Sequence, residues 1–217
     1  MKDLYRIFTI LLQTYGPQHW WPARTPFEVM VGAVLTQNTA WSNVEKAIAN
    51  FGPNLTPKFI AAASHGDLAA IIRPSGYYAQ KAIRLTALVD WFARYDWDLN
   101  RVAQEDSDKL RSELLAVKGI GYETADSILL YAFNRPFFVV DAYTRRLFSR
   151  LGYDLTAGYD DLRQEIEANL PRDVHVYNEF HALIVTHGKQ CCRKQPACGD
   201  CPVQELCQYR RGCRYLA

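Results

Sequence analysis

The sequence predicts an all-α protein, and three observations predict it. Apolar residues recur at three- and four-residue spacings along most of the 217 residues, the period of a helix with one buried face. The breaks between these stretches carry turn chemistry: Gly16-Pro17, Gly52-Pro53, Pro74-Ser75-Gly76 and Asn134-Arg135-Pro136. Almost nothing alternates with a period of two; only Phe137–Val140 and the residues near Val174–Tyr177 read as strand. With 49% hydrophobic and 22% charged residues, the chain can bury a sizeable core. No apolar run approaches the ~20 residues that cross a bilayer. The start of the chain reads as an amphipathic helix and not a signal peptide, so a cytoplasmic protein without a membrane partner is expected.

The elements follow in order. Residues 1–15 place Leu4, Phe8, Leu11 and Leu12 on one side of a helix that Gly16-Pro17 closes. A Pro-bounded loop then carries two adjacent indoles, Trp20 and Trp21, before Pro22. Such a pair can plug a core or wall a flat pocket. From Pro26 one helix runs to a polar break at Thr36-Gln37-Asn38-Thr39, and a second runs from Ser42. The Gln-Asn pair suits capping, and equally suits amide side chains that enter a base stack. Helices are expected over 57–63, 66–72, 81–95 and 106–117, the last capped by Ser107, and later over 160–169 and 177–187. Lys81, Arg84, Arg145, Arg193 and Lys194 read singly as solvated surface charges, and on a polyanion partner they would add phosphate contacts.

The stretch from Leu114 to Arg146 is the centre of the reading. A helix ends at Val117, the chain turns through Lys118-Gly119-Ile120-Gly121, and helical periodicity resumes from Tyr122 to Phe133. Two glycines one residue apart let a tight hairpin present backbone N–H groups beside a helix N-terminus, an arrangement that binds phosphate. An ordinary joint between two helices reads the same way. Four apolar residues, Phe137–Val140, then end on one carboxylate, Asp141, at the start of the next helix.

All six cysteines lie beyond residue 190: Cys191, Cys192, Cys198, Cys201, Cys207 and Cys213. In a reducing compartment such crowding favours a metal centre over disulfides. The series Cys191-x6-Cys198-x2-Cys201-x5-Cys207 offers four thiolates but only one short C-x2-C pair. That favours an iron–sulfur cluster over a structural zinc site, which usually has two such pairs. From Lys189 onward six Lys/Arg face two acids, a net charge of +4, and the remainder carries −2. A basic tail on a near-neutral body suits a polyanion or a solvated surface.

The KGIG hairpin, the Asp after an apolar run and the closing cysteine series together resemble the endonuclease III superfamily of helix–hairpin–helix DNA glycosylases. The resemblance spans nearly the whole chain. It implies a six-helix barrel at residues 22–133 and a [4Fe–4S] cluster domain made of 1–21 and 134–217, flanking a DNA-binding cleft. It further implies Asp141 as the catalytic carboxylate and Cys191, Cys198, Cys201 and Cys207 as cluster ligands. The neighbouring Cys192 is an alternative first ligand. Bifunctional members of this superfamily carry a lysine two residues after the second glycine of the hairpin; Glu123 stands there, and a carboxylate cannot form a Schiff base with a sugar aldehyde.

Trp20-Trp21-Pro22, the run GAVLTQNT and Trp41 are similar to the endonuclease III-like 3-methyladenine DNA glycosylases, whose well-known small members lack the cluster. That similarity implies a base pocket of Trp20, Trp21 and Trp41, with Glu123 nearby. It implies DNA contacts from Gln37, Asn38, Lys118, Gly119, Gly121 and Tyr122. The expectation is a monomeric, monofunctional glycosylase acting on alkylated purines in double-stranded DNA. The alternatives are a glycosylase for oxidised or mismatched bases and a lesion-binding protein without catalysis. His175, His181 and His187 have no role assigned by sequence.

Overall fold

A computed structural model describes residues 3–213, with side chains through Arg210, and the described residues are helical with no strand. The chain divides into two compact units, one of Trp21–Arg135 and one joining Met1–Trp20 to Pro136–Ala217.

The first unit is built around two buried helices. In α2 (Pro26–Leu35) nearly every side chain from Phe27 to Leu35 is buried, as expected of a helix apolar on all sides. Thr25 caps it by accepting from the Glu28 N–H, with Pro26 at the first helical position. Its main neighbour, α9 (Tyr122–Phe133), buries Thr124 through Leu130. Around them pack α3 (Trp41–Phe51), α4 (Pro57–Ala62), α5 (His65–Ile71), α6 (Tyr78–Ala93), α7 (Leu99–Gln104) and α8 (Ser107–Ala116). The sequence reading missed α7, a six-residue helix too short to show a period. The cap of α8 is Asp106, whose carboxylate accepts from Asp108 and Lys109 N–H, and not Ser107. A buried bidentate pair ties α8 to α9, Arg111 Nε to Asp126 Oδ1 at 2.6 Å and Nη2 to Oδ2 at 3.1 Å.

The second unit comprises α1 (Leu4–Tyr15), α10 (Ala142–Leu151), α11 (Tyr159–Ala168), α12 (Val174–Gln190) and α13 (Gln208–Cys213). The long helix α12 packs against both α1 and α10. Residues 137–140 are extended and buried, but they pair with no strand among the described residues. Side chains of α11 satisfy their N–H groups instead: Phe138 N donates to Glu167 Oε1 at 2.8 Å and Val140 N to the Tyr159 hydroxyl at 3.2 Å. The apparent strand at 174–177 is the first turn of α12, capped by Asp173. No helix among the described residues is long and apolar enough to cross a membrane.

Candidate active site

The hairpin forms as its residues require. Val117 ends α8, Gly119 takes a φ of +83°, Ile120 is buried, and Gly121 caps α9 with extended backbone. A side chain at Gly119 is excluded twice, since its Cβ would also lie 2.5 Å from Arg84 Cγ. Lys118, Gly119, Gly121, Tyr122 and Glu123 are exposed, so the hairpin and the first turn of α9 lie at the surface, where a helix N-terminus favours an anion.

The 36–39 loop is bolted to this hairpin. Gln37 Nε2 donates to Gly119 O at 3.1 Å and to Thr124 Oγ1 at 2.9 Å, while its Oε1 accepts from Arg84. The Gln37 amide is therefore committed inside the protein. Asn38 is exposed with a φ of 52° and projects from the turn. Lys81 is no phosphate contact: it is 1% exposed, and its ammonium donates to Leu35 O, Thr39 Oγ1 and Ser75 O at 2.6–2.7 Å. Burial lowers it to about 8, with the Arg84 charge adding, so it remains a cation at neutral pH. These bonds join the 36–39 loop to the loop before α6, where Tyr77 is 72% exposed on left-handed backbone. Sequence pattern did not single out Tyr77; its signal was an aromatic directly after Gly76 in a turn.

The two adjacent indoles go to different units. Trp21 packs edge-on against Trp41, centroids 5.3 Å apart, and lies 5.2 Å from Tyr131. It fits because Gly32 of α2 has no side chain: a Cβ there would meet Trp21 Nε1 at 3.3 Å. All three rings are half-buried, so this is an aromatic wall with open surface and not a sealed core. Trp20 instead lies in the second unit, its ring 5.8 Å from that of His181.

Asp141 is the N-cap of α10. Its Oδ1 accepts from Thr144 N at 2.7 Å and its Oδ2 lies 3.6 Å from His181 Nε2. Burial raises the carboxyl; the facing His181 ring and its charge, together with the Thr144 N–H and hydroxyl, outweigh it and hold Asp141 below the usual carboxylate range. The helix N-terminus favours the same anionic form. A partly buried, ionised carboxylate is suited to stabilising positive charge that develops next to it.

Of the four predicted ligand cysteines, Cys191 and Cys201 come together with His187, their ligand atoms all within 4.8 Å. Burial pushes Cys201 up to about 12, and the negative charges of Cys191 and Cys207 add; burial also raises Cys191, with the charges of Cys192 and Cys198 adding. The Cys191 and Cys201 thiols thus lie where the anionic form is disfavoured, and a soft cation would relieve that. Cys192 Sγ accepts from Arg150 at 3.2 Å, while Cys191 Sγ donates to Ala197 O at 3.1 Å and Cys207 Sγ to Arg150 O at 3.3 Å. His187, unassigned by sequence, accepts or donates at Nδ1 with the Tyr15 hydroxyl at 2.9 Å. Its spacing four residues before Cys191 on one helix face was the signal available. His181 offered none, because its partner Asp141 is 40 residues away. The Cys213 side chain lies outside the described residues.

A helix–hairpin–helix in one unit and a helix-capping carboxylate in the other are features met in proteins of the DNA glycosylase class. A family model described as "HhH-GPD superfamily base excision DNA repair protein" matches residues 31–189, and the chain belongs to that superfamily. A protein of Methanocaldococcus jannaschii, provisionally named a DNA repair glycosylase, is 48% identical over 209 residues, 94% of this chain and 95% of the relative. The crystal structure of an H. pylori 3-methyladenine DNA glycosylase bound to 1,N6-ethenoadenine is 32% identical with a TM-score of 0.76, over 86% of this chain and 97% of that one. A non-covalent endonuclease III–DNA complex shares the fold at a TM-score of 0.85 and 23% identity, over 99% and 98% of the two chains.

Proposed function

We propose that this glycosylase is monofunctional and hydrolyses the N-glycosidic bond of alkylated purines, such as 3-methyladenine, in duplex DNA. The observation that carries this reading is Asp141, partly buried and held as an anion between the α10 N-terminus and His181. Breaking the bond to a purine places positive charge on the sugar, and a fixed carboxylate stabilises that charge and orients the attacking water. A purine alkylated at N3 or N7 is already cationic, so it leaves without a strong general acid. What the site must supply is discrimination. The half-buried indoles of Trp21 and Trp41 serve it, since a desolvated cation over an indole face gains about 2 kcal/mol. The H. pylori relative, a 3-methyladenine DNA glycosylase, supports the same substrate class. Glu123, exposed on the first turn of α9, supports hydrolysis by water without a Schiff base.

DNA is gripped by backbone N–H groups of the Gly119–Gly121 hairpin, with Lys118 and Tyr122 beside them, which fixes position without reading sequence. A base in a duplex must first be rotated out of the stack. Asn38, exposed at its turn, fills the gap; Gln37 holds the loop to the hairpin. Exposed Tyr77 adds a ring that can stack on a base. Cys191, Cys198, Cys201 and Cys207 would hold a [4Fe–4S] cluster, which when bound cross-links the 191–207 segment. Arg193 and Lys194, exposed in that segment, would then face the phosphates.

The test is chromatography of free bases released from methylated duplex DNA. The wild type is expected to release 3-methyladenine or 7-methylguanine, and Asp141→Asn to lower the rate by about 10²–10⁴ while still binding duplex. Borohydride should trap no covalent complex with abasic DNA. Turnover by Asp141→Asn would remove the carboxylate's role, and a trapped complex would remove the monofunctional assignment.

A further inference from the structure

We propose that His181 is a positioning residue for base release: it sets the plane of the Asp141 carboxylate by holding Oδ2 while the α10 N-terminus holds Oδ1. The inference rests on the reading of Asp141 as the reacting carboxylate. A carboxylate held at one oxygen can still turn about that hydrogen bond, and Thr144 N contacts only Oδ1. The second contact is His181 Nε2, 3.6 Å from Oδ2, an ion-pair separation just beyond hydrogen-bond reach, and such contacts commonly shorten when substrate binds.

The imidazole is itself confined. His181 is 4% exposed in the middle of α12, with Trp20 against it at 5.8 Å and Phe138 edge-on at 6.4 Å. Phe138 belongs to the extended segment that delivers Asp141, so a residue of the segment that carries the carboxylate also fences its partner. Trp20 acquires a role by this route, acting on Asp141 through the His181 ring. Lys189, whose ammonium lies 6.0 Å from the Trp20 centroid, backs the indole in turn. A histidine that merely filled space here would not need its ring nitrogen turned toward the only carboxylate of the 137–141 segment.

The experiment measures single-turnover base release with enzyme in excess, duplex affinity for an abasic-site analogue, and melting temperature. It compares wild type, Asp141→Asn, His181→Phe and His181→Gln. The expected result is that His181→Phe slows base release by about 10–100-fold, the scale of a misplaced reacting group. Duplex affinity should be unchanged, and His181→Gln, which keeps an N–H donor, should recover most of the rate. Wild-type rates in His181→Phe would overturn the proposal. So would equal losses in the Phe and Gln variants that track a fall in melting temperature, since packing alone would then explain them. If instead Asp141→Asn releases base as the wild type does, the carboxylate reading fails and this inference falls with it. That outcome differs from an inert Asp141→Asn beside an unaffected His181→Phe, which overturns the His181 role alone.

Discussion

At Lys81 the ammonium donates to Leu35 O, Thr39 Oγ1 and Ser75 O, and all three acceptors lie in segments that end or join helices. Sequence periodicity sets Lys81 at the start of a helix, where a lysine is usually solvated; only the fold reveals that its solvent is three oxygens. Replacing it with Met would keep the apolar stem but take the ammonium from Leu35 O and Thr39 Oγ1, leaving Ser75 O only the Thr39 hydroxyl, and each unsatisfied buried group costs about 1–3 kcal/mol. Lys81→Met is expected to destabilise the protein by roughly 2–4 kcal/mol in urea unfolding. Base release should also fall, because the loop bearing Asn38 and the turn bearing Tyr77 lose their shared anchor. A variant as stable as wild type would show that the buried ammonium adds nothing net. The same logic separates Gln37 from Asn38: both are amides next to each other, and hydrogen bonding alone decides which one is spent on the protein.

At the scale of elements, the helix–hairpin–helix was the most legible part of the chain. Its two helices came from periodicity and its turn from two glycines, and the observed α9 runs from Tyr122 to Phe133 as read. What spacing could not supply was the brace: Arg84 lies against Gly119 and reaches Gln37, and Arg111 clamps Asp126 between α8 and α9. Gly119→Ala places a Cβ on left-handed backbone and into the Arg84 stem. It is expected to cost about 1–3 kcal/mol of strain and to weaken duplex binding across all sequences. Isothermal calorimetry with damaged and undamaged duplex checks this; a loss confined to damaged DNA would mean that the hairpin reads the lesion and not the backbone. Among the elements misread, residues 137–140 look like a strand because they are apolar and β-branched. They are extended, but Glu167 and Tyr159 take the place of a neighbouring strand.

For the whole molecule, each unit contains a buried phenol whose titration reports its integrity. Burial raises Tyr95 in the first unit to about 12, helped by its bond to Glu113 and that residue's charge. Burial raises Tyr177 in the second to about 12, helped by the charge of Glu167. A folded-state pKa above the unfolded value means that the folded state keeps its proton longer. The stabilisation is therefore complete below pH 10 and is lost as pH climbs from about 10 to about 12, on the order of 2 kcal/mol for each group. Alkaline unfolding followed by circular dichroism should show this fall, and Tyr95→Phe should flatten its share. A Tyr95→Phe profile that coincides with wild type would remove Tyr95 from the account.

The sequence by itself determined the helical class, the hairpin, the lone carboxylate at the head of a helix and the cysteine series, because each is written in local spacing. Periodicity, turn residues and short motifs act within about ten residues, where chain order and spatial order coincide. Tertiary structure alone decided that Trp20 serves the Asp141 unit while Trp21 joins Trp41, that Gln37 is fastened and Asn38 free, and that His181 faces Asp141 across 40 residues. Those contacts join residues far apart in the chain, and burial makes them consequential: a polar group removed from water must find its partner wherever the packing brings one.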